Sequence, residues 1–139
     1  MRIMTPTECA YVAGIIDGEG SIEFKRRPRI RRDRIGTPTY VTLIVRMEVP
    51  QVDGRLIDYL METTKEGSRD MKHYPNNENW QDQHRWRCGY HAVYRILKQI
   101  YRYLIVKKEK AKKVIDHYDK QFKKKTYGKG GFGTKWMIR

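Results

Sequence analysis

Three things are scarce in this sequence. Cysteine occurs twice, as Cys9 and Cys88, too few and too far apart for a disulfide framework, so the expected setting is intracellular (cytoplasm or an organelle matrix) and not secreted. Long apolar runs are missing as well. The cleanest one near the start, Ala10 to Ile16, falls short of the ~18 residues of a membrane span and ends on acids, so neither an inserted helix nor a signal peptide is expected. Acids are few beside bases: sixteen Asp+Glu against thirty Lys+Arg in 139 residues, a formal charge of +14. That balance favours a polyanionic partner, nucleic acid first and an anionic membrane surface second.

The length fits one domain with its own core. The bases are clustered, seven of them with one acid in KRRPRIRRDR at 25–34, and twelve with three acids over 107–139. Thr5-Pro6 supplies a helix start, and the apolar run carries that helix to about Asp17. Ser21 to Arg27 alternates, Ile22 and Phe24 against Glu23, Lys25 and Arg27. Tyr40 to Val49 alternates more clearly, with Val41, Leu43, Val45, Met47 and Val49 on a core face and Tyr40, Thr42, Ile44, Arg46 and Glu48 on the other. Leu56, Ile57, Leu60 and Met61 predict a helix over Asp53–Thr64 stopped by Gly67. Strands follow at Ser68–Tyr74 and His84–Gly89 around the polar PNNENWQDQ loop. Helices are set by Val93, Ile96, Leu97 and Ile100, and then by Val106, Ala111, Val114, Ile115 and Tyr118. Trp86 and Tyr118 are expected in the core. The fold class is α+β, in the order α-β-β-α-β-β-α(α), with a four-stranded antiparallel sheet backed by helices. Residues 1–122 form the domain and 123–139 a basic Gly/Lys-rich tail.

One stretch does not fit an ordinary surface helix. YVAGIIDGEGS at 11–21 is dry on every side, carries Gly14 and Gly18 four apart, and ends in two acids. One reading is a buried helix followed by an acidic turn. The other is a two-fold homodimer in which the glycine-notched helix packs on its own copy through Ala13, Gly14, Asp17 and Gly18. That packing would bring the acids of both copies near the axis, where a divalent cation relieves their repulsion.

VAGIIDGEG at 12–20 resembles the nine-residue motif of the LAGLIDADG homing endonucleases. Ala13, Gly14, Ile16, Asp17 and Gly20 match directly, and Val12, Ile15 and Glu19 match in kind. The element order over residues 8–120 and the segment YLIVKKEKA at 103–111 are also similar to that family. A single motif copy implies, within the family, a homodimer whose motif helix lies at the two-fold interface. The resemblance further implies a Mg²⁺-dependent endonuclease (Mn²⁺ or Ca²⁺ able to replace Mg²⁺ in binding) that cuts double-stranded DNA at a long pseudo-palindromic site and leaves short 3′ overhangs. It makes Glu19 the metal-binding acid, with the Gly18 carbonyl beside it. Lys107 becomes the lysine near the reacting phosphate, and Gln51 the polar residue ending the second strand. Glu19 departs from the aspartate more usual at its position, and Asp17 is expected to close the helix end.

Specificity is expected from the strands. A strand of 9–10 residues at ~3.3 Å each covers roughly 30 Å, close to one DNA turn of ~34 Å, so a dimer would read about twenty base pairs. The expected DNA face is Glu23, Lys25, Arg27, Tyr40, Thr42, Ile44, Arg46, Glu48, Asp70, Lys72, Tyr74, Arg85 and Arg87. The alternatives are a non-cleaving module on the same scaffold (an intron-splicing maturase or a DNA-binding regulator) and a basic RNA- or ribosome-associated protein.

Other motifs carry less. A calcium loop from Asp17 fails, because Ile22 stands where glycine is needed and Pro28 where the bidentate glutamate should be. GKGGFG at 128–133 has the glycine spacing of a dinucleotide loop but no preceding strand, so no nucleotide cofactor is expected. Cys88 and His91 lack a second pair at zinc spacing.

Overall fold

The computed structural model describes residues 2–29 and 40–128. The basic loop over 30–39 and the tail from 129, with most of GKGGFG, lie outside the described residues. Helix α1 (Pro6–Glu19) starts where Thr5-Pro6 predicts. Thr5 Oγ1 accepts from the Glu8 amide at 3.2 Å, and Glu8 Oε1 accepts from the Thr5 amide at 2.9 Å, a reciprocal cap that satisfies two donors at the helix start. Arg2 holds the same carboxylate at 2.9 Å. Gln99 clasps the preceding segment, accepting from the Met4 amide at 2.8 Å and donating to the Arg2 carbonyl at 3.1 Å.

The chain continues through β1 (Ser21–Arg29), β2 (Tyr40–Gln51), α2 (Gly54–Thr64), β3 (Ser68–Lys72), β4 (Gln83–Gly89), α3 (His91–Ile100), a 3-10 turn at Tyr101–Tyr103, and α4 (Lys108–Gly128). The strands form one antiparallel sheet in the order β1-β2-β4-β3. The molecule is therefore α+β in the expected order, with its helices on one sheet face. Val45, Met47, Val49, Trp86 and Cys88 point from β2 and β4 into the core, where Val12, Ile16, Ile57, Leu60, Ile96, Leu97 and Ile100 meet them. Trp86 is fully buried, and its indole N–H donates to the Glu66 carbonyl at 3.0 Å. Cys9 and Cys88 are buried free thiols. Burial pushes the Cys88 thiol up to about 12, which leaves it inert at neutral pH.

Four expectations change. The residue that ends α2 in the left-handed region is Lys65, at φ 54°, not Gly67. Gly67, at φ 85°, turns the chain tightly under β4, where any Cβ would meet the Arg87 carbonyl and the Trp86 ring at 2.7 Å. Val106 precedes α4 and is exposed, and among the described residues of that helix Ala111, Val114 and Tyr118 are the buried apolar ones. Tyr74 stands beyond the end of β3, and α4 runs through Gly128, past the expected start of the tail at 123.

Candidate functional site

The C-terminal end of α1 gathers most of the expected reaction groups. A helix C-terminus carries about half a negative charge on its unpaired carbonyls. Here it also carries Asp17 and Glu19, with no basic residue in the last turn. The charge is compensated from a distant part of the chain. Asp17 Oδ2 accepts from the Ile105 amide at 2.7 Å, and Oδ1 accepts from the amides of Val106 at 3.2 Å and Lys107 at 3.0 Å. Lys107 Nζ donates to the Asp17 carbonyl at 2.8 Å. Asp17 thus anchors the 105–107 loop to the helix end. Its carboxylate is committed to three backbone donors.

Glu19 is exposed and makes no hydrogen bond or ion pair among the described residues. It is the free carboxylate of the pair. The Gly18 carbonyl, past the last intrahelical donor, adds a second oxygen. Oxygen ligands of this kind suit a hard divalent cation. One chain alone offers too few of them: among the described residues no three His, Cys, Asp or Glu side chains come together as a metal site.

Gln51 has different neighbours. Its Oε1 accepts from the adjacent Val52 amide at 2.9 Å. Its side chain lines an open hollow of about 730 Å³ with Thr7, Glu8 and Tyr11 from the first half of α1, and with Leu56 and Tyr59 from α2. Glu19 and Lys107 take no part in that lining.

Helix α1 is covered on one face only. Cys9, Val12, Ala13, Ile15 and Ile16 are buried in the chain's own core, whereas Thr7, Ala10, Tyr11, Gly14 and Gly18 are exposed. A Cβ added at Gly14 or Gly18 would touch nothing within 4 Å, so neither glycine is required by packing inside the chain. Ala13, expected at the outer contact, is 0% exposed and belongs to the core. Tyr11, which the sequence pattern did not single out, is 54% exposed, stacks edge-on against Tyr59 at 4.9 Å, and its spacing to Gly14 and Gly18 places it on the same stripe.

The sheet face away from the helices holds the strand residues expected to read DNA. Register and burial set Glu23, Lys25 and Arg27 on β1, Tyr40, Thr42, Ile44, Arg46 and Glu48 on β2, Asp70 and Lys72 on β3, and Arg85 and Arg87 on β4 opposite the buried row. The charges there are cross-linked. Arg46 donates to Glu23 at 2.9 Å, and Lys25 lies 3.5 Å from the same carboxylate. Arg85 grips Asp70 through Nε and Nη2, both at 2.9 Å. Glu48 lies 3.7 Å from both Arg85 and Arg87. Arg46 holds the Glu23 carboxyl below its ordinary value although desolvation works against it, and the bond from Arg85 does the same for Asp70. Beyond β3, the Tyr74 ring sits under Lys72 Nζ at 5.4 Å and against Trp80 at 5.0 Å.

No protein-family model and no curated protein matches the chain. Solved structures do. The homing endonuclease I-CvuI in complex with a DNA target superposes with a TM-score of 0.59 at 17% identity, over 79% of this chain and 64% of that one. The archaeal intron-encoded homing endonuclease I-Vdi141I complexed with DNA gives 0.58 at 18%, over 79% and 65%. The LAGLIDADG homing endonuclease I-GzeII in complex with its DNA target gives 0.56 at 17%, over 82% and 37%. The chain has the LAGLIDADG homing endonuclease fold. It spans less than two thirds of the length of each of these structures. Among its described residues no helix is long and apolar enough to cross a membrane. In this LAGLIDADG fold the motif VAGIIDGEG covers the second half of α1 and the turn into β1, so the helix with the free acid feeds directly into the charged sheet.

Proposed function

We propose that the protein is a homodimeric, metal-dependent, site-specific DNA endonuclease of the homing type. The observation that carries this reading is the division of labour at the end of α1. Of the two carboxylates at the negative end of the helix, Asp17 is consumed by backbone amides of the loop that also bonds Lys107 to the Asp17 carbonyl, and Glu19 is left free two residues before the sheet begins at Ser21. A free carboxylate at that helix end costs stability unless a cation joins it. The DNA complexes of the proteins that share the fold, the net charge of +14 and the outward row of bases support duplex DNA as the partner.

Glu19 and the Gly18 carbonyl would hold a divalent ion, and a second chain and DNA phosphate oxygens would complete the ligand set. Magnesium and calcium were present in the I-CvuI complexes. A divalent ion bound there supplies an acidified water and neutralises charge on the scissile phosphate. Lys107, steered by its bond to the Asp17 carbonyl, would hold a positive charge at the same helix end for the phosphoryl oxygens. Gln51, turned to the other half of α1, is assigned no step. The stripe Tyr11, Gly14 and Gly18 is the surface for a second copy, which would set two such helix ends side by side so that each cuts one strand.

Incubation with magnesium and a library of randomised long duplexes tests the reading. Site-specific double-strand breaks with short 3′ overhangs are expected. Persistent, specific binding without any break would assign the scaffold to a non-cleaving maturase or regulator.

A further inference from the structure

On the outward sheet face one arginine is held differently from the rest. Arg85 gives Nε and one hydrogen of Nη2 to the two oxygens of Asp70, both at 2.9 Å, across the β3–β4 pair Asp70↔Arg85. Arg87 approaches Glu48 at 3.7 Å and Asp70 at 3.8 Å, and Arg46 has one bond to Glu23. Among the described residues of this face, only Arg85 is fixed through two hydrogen bonds.

A guanidinium has five N–H groups in a planar fork. Side-on engagement by Asp70 uses two and leaves the end-on pair, one hydrogen each on Nη1 and Nη2, pointing along the side-chain axis. Nη1 lies 3.7 Å from Glu48 Oε1, beyond hydrogen-bond reach. That end-on pair matches the O6 and N7 acceptors of guanine in the major groove. Because the fork is already oriented in the free protein, its ordering cost is met on folding and not on binding. The carboxylate also cancels the charge that would draw Arg85 to any phosphate, which turns a general anchor into a reader.

We propose that Asp70 is a positioning residue that fixes Arg85 to recognise one guanine in each half of the DNA target. The inference rests on the DNA-binding reading above. The test selects bound duplexes from a randomised library in calcium, using the full chain as wild type, Arg85→Lys and Asp70→Asn. The wild type should enrich one site with a guanine at a fixed place in each half. Both variants should lose the preference at that same place by about tenfold or more, leave the other positions unchanged, and, for Asp70→Asn, steepen the salt dependence of binding to unrelated duplex. A specific site that Asp70→Asn leaves unaltered, or an Arg85→Lys change at a position that is not guanine, overturns the role of Asp70 while DNA recognition stands. Failure of the wild type to enrich any sequence overturns the DNA reading and this inference with it.

Discussion

Asp17 and Glu19 are two residues apart and chemically alike, yet their surroundings give them opposite tasks. Asp17 accepts three amide hydrogens from the loop before α4. Hydrogen bonds to a charged group contribute more than neutral ones, so Asp17→Ala should cost about 1–3 kcal/mol of stability. Glu19→Gln, at an exposed position without partners, should change it by no more than about 0.5 kcal/mol. Urea denaturation of both variants checks this contrast, and equal stabilities would remove the anchor role from Asp17. The motif resemblance pointed to the end of α1 and to the 105–107 segment, which the structure brings together. The loop anchor was not legible, because its donors are backbone amides at 105–107 and any residue type supplies an amide. Ala13 was misplaced for a geometric reason: adjacent helix positions lie about 100° apart, so Ala13 and Gly14 do not share a face.

At the level of elements, the periodicities located every α-helix and strand among the described residues but not the 3-10 turn at Tyr101–Tyr103, and several ends moved. Ends depend on single residues whose conformation the pattern does not encode. Lys65 closes α2 at φ 54°, a region where a Cβ is disfavoured by roughly 1–2 kcal/mol. Lys65→Gly should therefore raise stability by about 0.5–1 kcal/mol after the entropy cost of glycine. Gly67→Ala should lower it by more than about 1 kcal/mol, since both its φ and the 2.7 Å approaches oppose a Cβ. Thermal unfolding of the two variants should shift in opposite directions.

The starts of the helices make stability depend on pH. Arg2 lowers the Glu8 carboxyl at α1, and Arg55 lowers Asp53 at α2 to about 2. Groups depressed in the folded state stabilise it fully above their unfolded values near ~4, and that contribution is lost as pH falls through the folded values. His117, lowered by desolvation between α4 and β1, adds a loss that begins below its ordinary value near ~6.5. The urea midpoint should decline gently below pH 6.5 and steeply between about 4 and 2. A midpoint flat down to pH 2 would contradict these contacts.

At the scale of the whole molecule, charge and shape make separate statements. With +14 on 139 residues and bases on the sheet face, about 6–10 phosphate contacts imply a loss of roughly 10³–10⁵ in DNA affinity between 50 and 200 mM salt. Titrations at several salt concentrations read that slope, and a flat profile would argue against the sheet as a DNA face. The uncovered stripe on α1 speaks to assembly. A Cβ at Gly14, which is exposed, meets nothing within 4 Å, so Gly14→Leu should leave the monomer folded and abolish the proposed dimer in sedimentation. An intact dimer would move the interface elsewhere.

The central claim is that the free acid at the end of α1 performs strand scission and does not hold the fold or the DNA. It is tested most directly by mapping breaks on both strands of the selected duplex, in magnesium, for wild type and Glu19→Gln at matched fractions of bound DNA. The account predicts offset cuts near the centre of the site for the wild type and an uncut duplex, bound equally well, for Glu19→Gln. Cutting by Glu19→Gln at the wild-type rate would contradict it.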